Sequence, residues 1–140
     1  MRTSRPVTAR VEYGVAAAAE LVAELPLDLP TITGTVAETL RPVPAGARLD
    51  PDVLEHTAQL LAGQVQLVLP LAQAAHRRRR PDPRRPGLVG YGLAYMRARM
   101  EVAPPSPRTH PLDSLVWCQE TARGLQQLLG VALVDDAAAR

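Results

Sequence analysis

The chain has no lysine, asparagine or phenylalanine, a single isoleucine (Ile32), one cysteine and one tryptophan. Each shortage excludes something. A lone Cys118 rules out an intramolecular disulfide and any cysteine-rich metal cluster. With no lysine, all sixteen basic side chains are arginines, a usage that reflects a GC-rich coding genome as much as a binding role. The formal net charge is only +2, so no strongly basic nucleic-acid-binding face is evident. Long apolar runs are missing too. No window reaches the ~18 uncharged residues of a membrane span, and the opening MRTSRPVTARVEYGV lacks a signal-peptide core. These absences point to a soluble, cytoplasmic protein.

Catalytic signatures are equally scarce. There is no phosphate-cradling glycine loop, HExxH, CxxC pair or serine-hydrolase elbow, and no cofactor or metal is expected. Gly87, Gly90 and Gly92 lie close together without dinucleotide-binding spacing.

What is present is helical periodicity. The chain is organised around Asp50 to Ala75, DPDVLEHTAQLLAGQVQLVLPLAQAA. Asp50 and Pro51 form an N-cap and first-turn pair. Leu54, Ala58, Leu61, Val65, Val68, Ala72 and Ala75 then recur in steps of three and four. A second stripe (Val53, Leu60, Leu67, Leu71) flanks the first, so this helix is expected at the centre of a bundle with neighbours on several sides. Pro70 predicts a kink or break near residues 66 to 70, with the apolar phase continuing beyond it.

Around that helix the chain of 140 residues reads as a single all-α domain, a four-helix bundle with one extra short helix. Val7, Val11, Val15, Ala18, Val22 and Leu25 place a helix over about residues 7–25, ended by Pro26 and Pro30. A short helix is expected from Thr33 to Leu40. Residues 41–46 form a loop, and the Arg/Pro stretch 77–87 an exposed linker. A further helix runs from Pro86 or Gly87 to about Val102, with Val89, Leu93, Met96 and Met100 inward and Gly90 and Gly92 allowing close backbone approach. The last helix covers Leu112 to Leu129, with Gly130 as its C′ residue. Residues 1–6 and 131–140 are expected to fray, although the tail has the composition for one more turn.

Few side chains are candidates for chemistry. Glu55 and His56 are adjacent on the central helix, where the histidine has the chemistry of a general base. No ligand residue stands at i+4 from it, which argues for an ordinary boundary histidine. Glu12, Glu20 and Glu24 are placed to meet Arg97, Arg99 or Arg123 as surface ion pairs. Tyr91 and Tyr95 are i, i+4 partners and, with Met96 and Trp117, can line either ordinary core and rim or a pocket for an apolar ligand or partner helix. Arg77, Arg78, Arg79 and Arg80 are suited to an acidic partner or to keeping a helix end solvated. No aromatic residue interleaves with them, which argues against nucleic acid.

The segment LEHTAQLLAGQVQLVLPLAQAA resembles the L-x-G-H-hydrophobic-x-L-L-hydrophobic-P-E segment of a family of small uncharacterised all-α domains. These come from GC-rich filamentous bacteria and are labelled natural-product biosynthesis proteins. GLVGYGLAYMRARM and LDSLVWCQETARGLQQLL resemble the family's next and last helices, the latter through Ala122, Arg123, Leu125 and Leu128. The likeness covers about residues 50–130. Two positions depart from the pattern: Gln64 replaces a histidine after Gly63, and Leu71 replaces a glutamate after Pro70. The resemblance implies an accessory role in natural-product biosynthesis or its regulation.

Two functions lead the expectations, ahead of a nucleic-acid accessory role through Arg77 to Arg85. One is a protein-interaction module that binds a partner protein or forms a homodimer, which would bury the excess apolar surface. The other is a small cofactor-free cyclase or isomerase that confines an apolar intermediate within the bundle.

Overall fold

The computed structural model describes residues 27–139 apart from 80, 81, 83 and 86, and of residues 134–139 the backbone alone. The expected helix over residues 7–25, with Glu12, Glu20 and Glu24, lies outside the described residues. Four helices follow: α1 (Leu29–Thr39), α2 (Pro51–Arg78), α3 (Gly87–Met100) and α4 (Pro111–Ala139). No strand occurs among the described residues. The architecture is an all-α four-helix bundle in which the short α1 supplies one of the four members.

Local chemistry sets each start. The Asp28 carboxylate accepts from the Thr31 amide at 3.2 Å and the Thr31 hydroxyl at 2.7 Å. Those two bonds hold its pKa below the ordinary value. Pro30 occupies the first turn of α1, where a missing N–H costs nothing, and the helix begins four residues earlier than the apolar spacing predicts. Asp50 caps α2 by accepting from the Asp52 amide at 2.9 Å, and Pro51 follows in the first turn. From there α2 runs unbroken through Pro70 for 28 residues, about 42 Å of helix.

At the other end of the chain α4 continues through Gly130 to Ala139. Gly130 is thus not a C′ residue. Val131 and Ala132 pack partly buried against the core, and that burial outweighs a glycine penalty of about 1 kcal/mol. Among the described residues Gly46 and Gly87 have positive φ, at 79° and 73°.

Side-chain contacts fix the directions. The Cys118 thiol lies 3.9 Å from the Leu54 carbonyl. The Gln64 amide nitrogen donates to the Thr35 hydroxyl at 3.1 Å, and Val36 shares a groove with Leu129. Glu38 and Thr39 border a groove with Asp50, Leu54 and Cys118. Hence α2 and α4 run parallel, with α1 antiparallel to both. Arg99 meets Thr121 and Met96 meets Gly124, so α3 is antiparallel to α4. The long pair carries the core: Leu61, Val65, Val68, Ala72, Ala122 and Leu125 are fully buried. Ile32 and Val36 of α1 and Leu93 and Met96 of α3 close it from the sides.

The second stripe of α2 is not sheathed by the described helices: Val53, Leu60 and Leu67 are exposed, and only Leu71 is half-buried. Helices α1, α3 and α4 cover the first stripe. No helix among the described residues is long and apolar enough to cross a membrane.

Candidate functional site

Helix α3, GLVGYGLAYMRARM, is apolar nearly all the way round, a composition that fits a helix covered on every side. The fold buries only Leu93 and Met96. Leu88, Tyr91 and Tyr95, spaced three and four residues apart, form a stripe that points away from the core, with 90%, 65% and 57% of their surface exposed. This outward stripe is the candidate site.

The C-terminal end of α3 is fastened to α4 by Arg99. Its guanidinium donates to the Trp117 carbonyl at 2.8 Å and to the Thr121 hydroxyl at 2.7 Å. A further bond reaches Glu120 at 3.3 Å. The same group lies 5.2 Å from the Trp117 ring and 5.9 Å from the Tyr95 ring, within cation–π range. Glu120 is thus an acidic partner of Arg99 among the described residues. The arginine fork suits this site, because it serves a carbonyl, a hydroxyl and a carboxylate while its planar face contacts the rings.

Of the four aromatic and sulfur candidates, Tyr95 and Trp117 are brought together through Arg99. Tyr91 lies one turn away on the outer stripe, and Met96 faces the core. Beside the stripe a solvent-open groove of about 260 Å³ runs between α3 and α4, lined by Leu88, Val89, Gly92, Met96, Gly124 and Leu128 among others. Gly124 carries this geometry and escaped the sequence reading. A Cβ there would stand 2.6 Å from the Met96 Cε. No atom lies within 4 Å of the corresponding point on Gly92, so the close approach foreseen at that position occurs at Gly124.

The remaining candidates scatter. Glu55 and His56 both face solvent on α2. Arg77 and Arg78 end α2 and Arg79 caps it, all exposed, which suits the helix dipole; Arg80 is outside the described residues. Among the described residues no group of three or more His, Cys, Asp and Glu is placed to hold a metal. Cys118 is buried, and burial pushes its thiol up to about 11 although the Arg99 charge pulls the other way. A thiol so protonated is a weak nucleophile. It forms part of the lining of another open groove, of about 350 Å³, with Glu38, Arg41, Arg48 and Asp50.

Gln64, one of the two positions that depart from the resembled pattern, is buried. Its amide nitrogen ties α2 to α1, while its Oε1 has no hydrogen-bond partner. That places a polar tie, not an open site, at this position. Comparison with family models, curated proteins and solved structures yields no match.

Proposed function

We propose that the protein is a non-catalytic interaction module that receives an amphipathic helix of a partner protein on the outer face of α3. The observation that carries this reading is the mismatch between composition and burial in α3, an apolar helix with its Leu88, Tyr91 and Tyr95 side chains in water. Such stripes are where partner helices lodge, with one or two apolar anchors entering an adjoining groove. The α3–α4 groove has room for such an anchor, and two tyrosines provide broad contact at low entropic cost.

A catalytic reading draws less support. The grooves at α3–α4, α1–α4 and α1–α2 are open, and Tyr91, Tyr95, Trp117, Glu55 and His56 line none of them. The resemblance of residues 50–130 supports placing the interaction in natural-product biosynthesis or its regulation.

The test is site-specific photo-crosslinking in cells that produce the protein, with a benzophenone side chain at position 91, 95 or, as control, 55. The expected result is one discrete adduct with a second protein from positions 91 and 95 and none from 55. Equal adducts from all three positions, or none from 91 and 95, would contradict the proposal.

A further inference from the structure

A second apolar surface lies on α2. Val53, Leu60 and Leu67 are exposed to 59%, 40% and 48% and recur every seven residues. Leu71 lies half-buried beside them. A strict seven-residue apolar repeat keeps its face turned toward a second helix along a seam. In this fold α1 packs on the neighbouring flank of α2 through Gln64 and Thr35, so the seam itself stays open.

The stripe is also nearly its own reverse. About the midpoint between Gly63 and Gln64, Leu60 mirrors Leu67 and Val53 mirrors Ala74. A two-fold contact requires that symmetry, because residue i must meet j while j meets i. At the midpoint Gly63 is exposed, with nothing within 4 Å of where its Cβ would stand. A second backbone can approach closely there.

Charge then selects the direction. Asp50 and Asp52, the latter already ion-paired with Arg108, mark the N-terminal end of α2, and His76, Arg77 and Arg78 its C-terminal end. An antiparallel pair sets each acidic end against the other copy's basic end and opposes the two helix dipoles. A parallel pair would set like against like. The seam from Val53 to Ala74 is about 32 Å long and about 10 Å wide. That is small for a specific interface, so the association is expected to be dissociable.

We propose that α2 is a self-association surface, on which a second copy of this chain packs antiparallel along Val53, Leu60 and Leu67 and crosses at Gly63. The surface is separate from the α3 stripe, and neither reading depends on the other.

Sedimentation velocity of the full chain over a hundredfold concentration range tests it. A monomer–dimer equilibrium is expected, with the dissociation constant at least tenfold higher for Leu60→Glu. Gly63→Glu is the cleaner variant. Its side chain has free space in the monomer and favours helix, so the thermal midpoint is kept or raised. Two carboxylates would meet at the dyad, and the dimer weakens at least tenfold. Under mild oxidation, a mixture of Leu60→Cys and Leu67→Cys chains is expected to cross-link to each other, and each alone far less. A monomer at every concentration would overturn the proposal, leaving the face to residues 1–26 or to another protein. So would a dimer indifferent to both glutamate variants, or preferential 60-to-60 cross-linking.

Discussion

The Met96 side chain occupies the space that a side chain on Gly124 would need, with its Sδ nearest and its Cε 2.6 Å from the ideal Cβ position. This contact joins α3 to α4 and forms part of the wall of the groove beside the exposed tyrosines. The methionine end is flexible and Ala favours helix by about 1 kcal/mol over Gly. Gly124→Ala is therefore expected to be tolerated, with Met96 swung into the groove. Gly124→Leu has no such exit and is expected to cost about 1–3 kcal/mol by overpacking. Adding Met96→Ala should recover at least half of that loss in urea unfolding, a coupling between neighbours that additive effects would not show.

Arg99 holds the other end of α3, with only 12% of its side chain exposed. Replacing it with Ala removes the bonds to the Thr121 hydroxyl, the Trp117 carbonyl and Glu120, although that carbonyl lies within α4 and keeps its helical partner. Bonds to a charged group are worth about 1.5–3 kcal/mol each, and partial solvation leaves a net cost of about 2–3 kcal/mol. Arg99→Lys should rescue less than half of it, because an ammonium cannot serve both acceptors and contact two rings in one plane. Denaturant unfolding followed by fluorescence measures both, since Trp117 is the chain's single tryptophan.

Gln64 separates two effects at one position. Its nitrogen is bonded to Thr35 and its oxygen is orphaned. Thr35 also donates to the Thr31 carbonyl at 3.0 Å, so it keeps a partner when Gln64 is lost. Gln64→Leu is therefore expected to be neutral or to stabilise by up to about 1 kcal/mol. Thr35→Val leaves the whole amide without a partner and should destabilise by about 1–3 kcal/mol. Thermal midpoints of the two variants should move in opposite directions or differ clearly in size.

Cys118 gives a pH dependence. Its thiol is raised from 9.0 to about 11 in the folded chain, chiefly by burial. Between those values the unfolded thiol has lost its proton while the folded one keeps it. Stability is thus fully retained below pH 9 and falls as pH rises toward 11. Cys118→Ala should flatten this slope. Alkylation by iodoacetamide at pH 8 should be slow in the native protein and fast in denaturant.

Much of the fold was legible because periodicity and caps agree. The Leu54–Ala75 stripe, the Asp50–Pro51 start and the run through Leu125 each state the helix and its buried side together. The errors have local causes. Pro30 reads as a breaker by composition, yet its place two residues after Asp28 makes it a first-turn residue. Gly130 reads as a stop, but packing of Val131 and Ala132 extends α4. The exposed stripe of Val53, Leu60 and Leu67 could not be foreseen, because periodicity shows which sides of a helix are apolar and not which neighbours exist. Tyr91 and Tyr95 were visible as a pair, whereas the Arg99 anchor and the Gly124 gap depend on contacts across 22 and 28 residues of sequence.

The most direct test of a partner face on α3 is a calorimetric titration with the protein cross-linked at positions 91 and 95, once purified. Wild type and Glu55→Gln should bind it equally, and the Leu88→Asp, Tyr91→Ser double variant should bind at least thirtyfold more weakly, the size expected of a hot spot. Unchanged affinity in that double variant, with its thermal midpoint intact, would contradict the assignment.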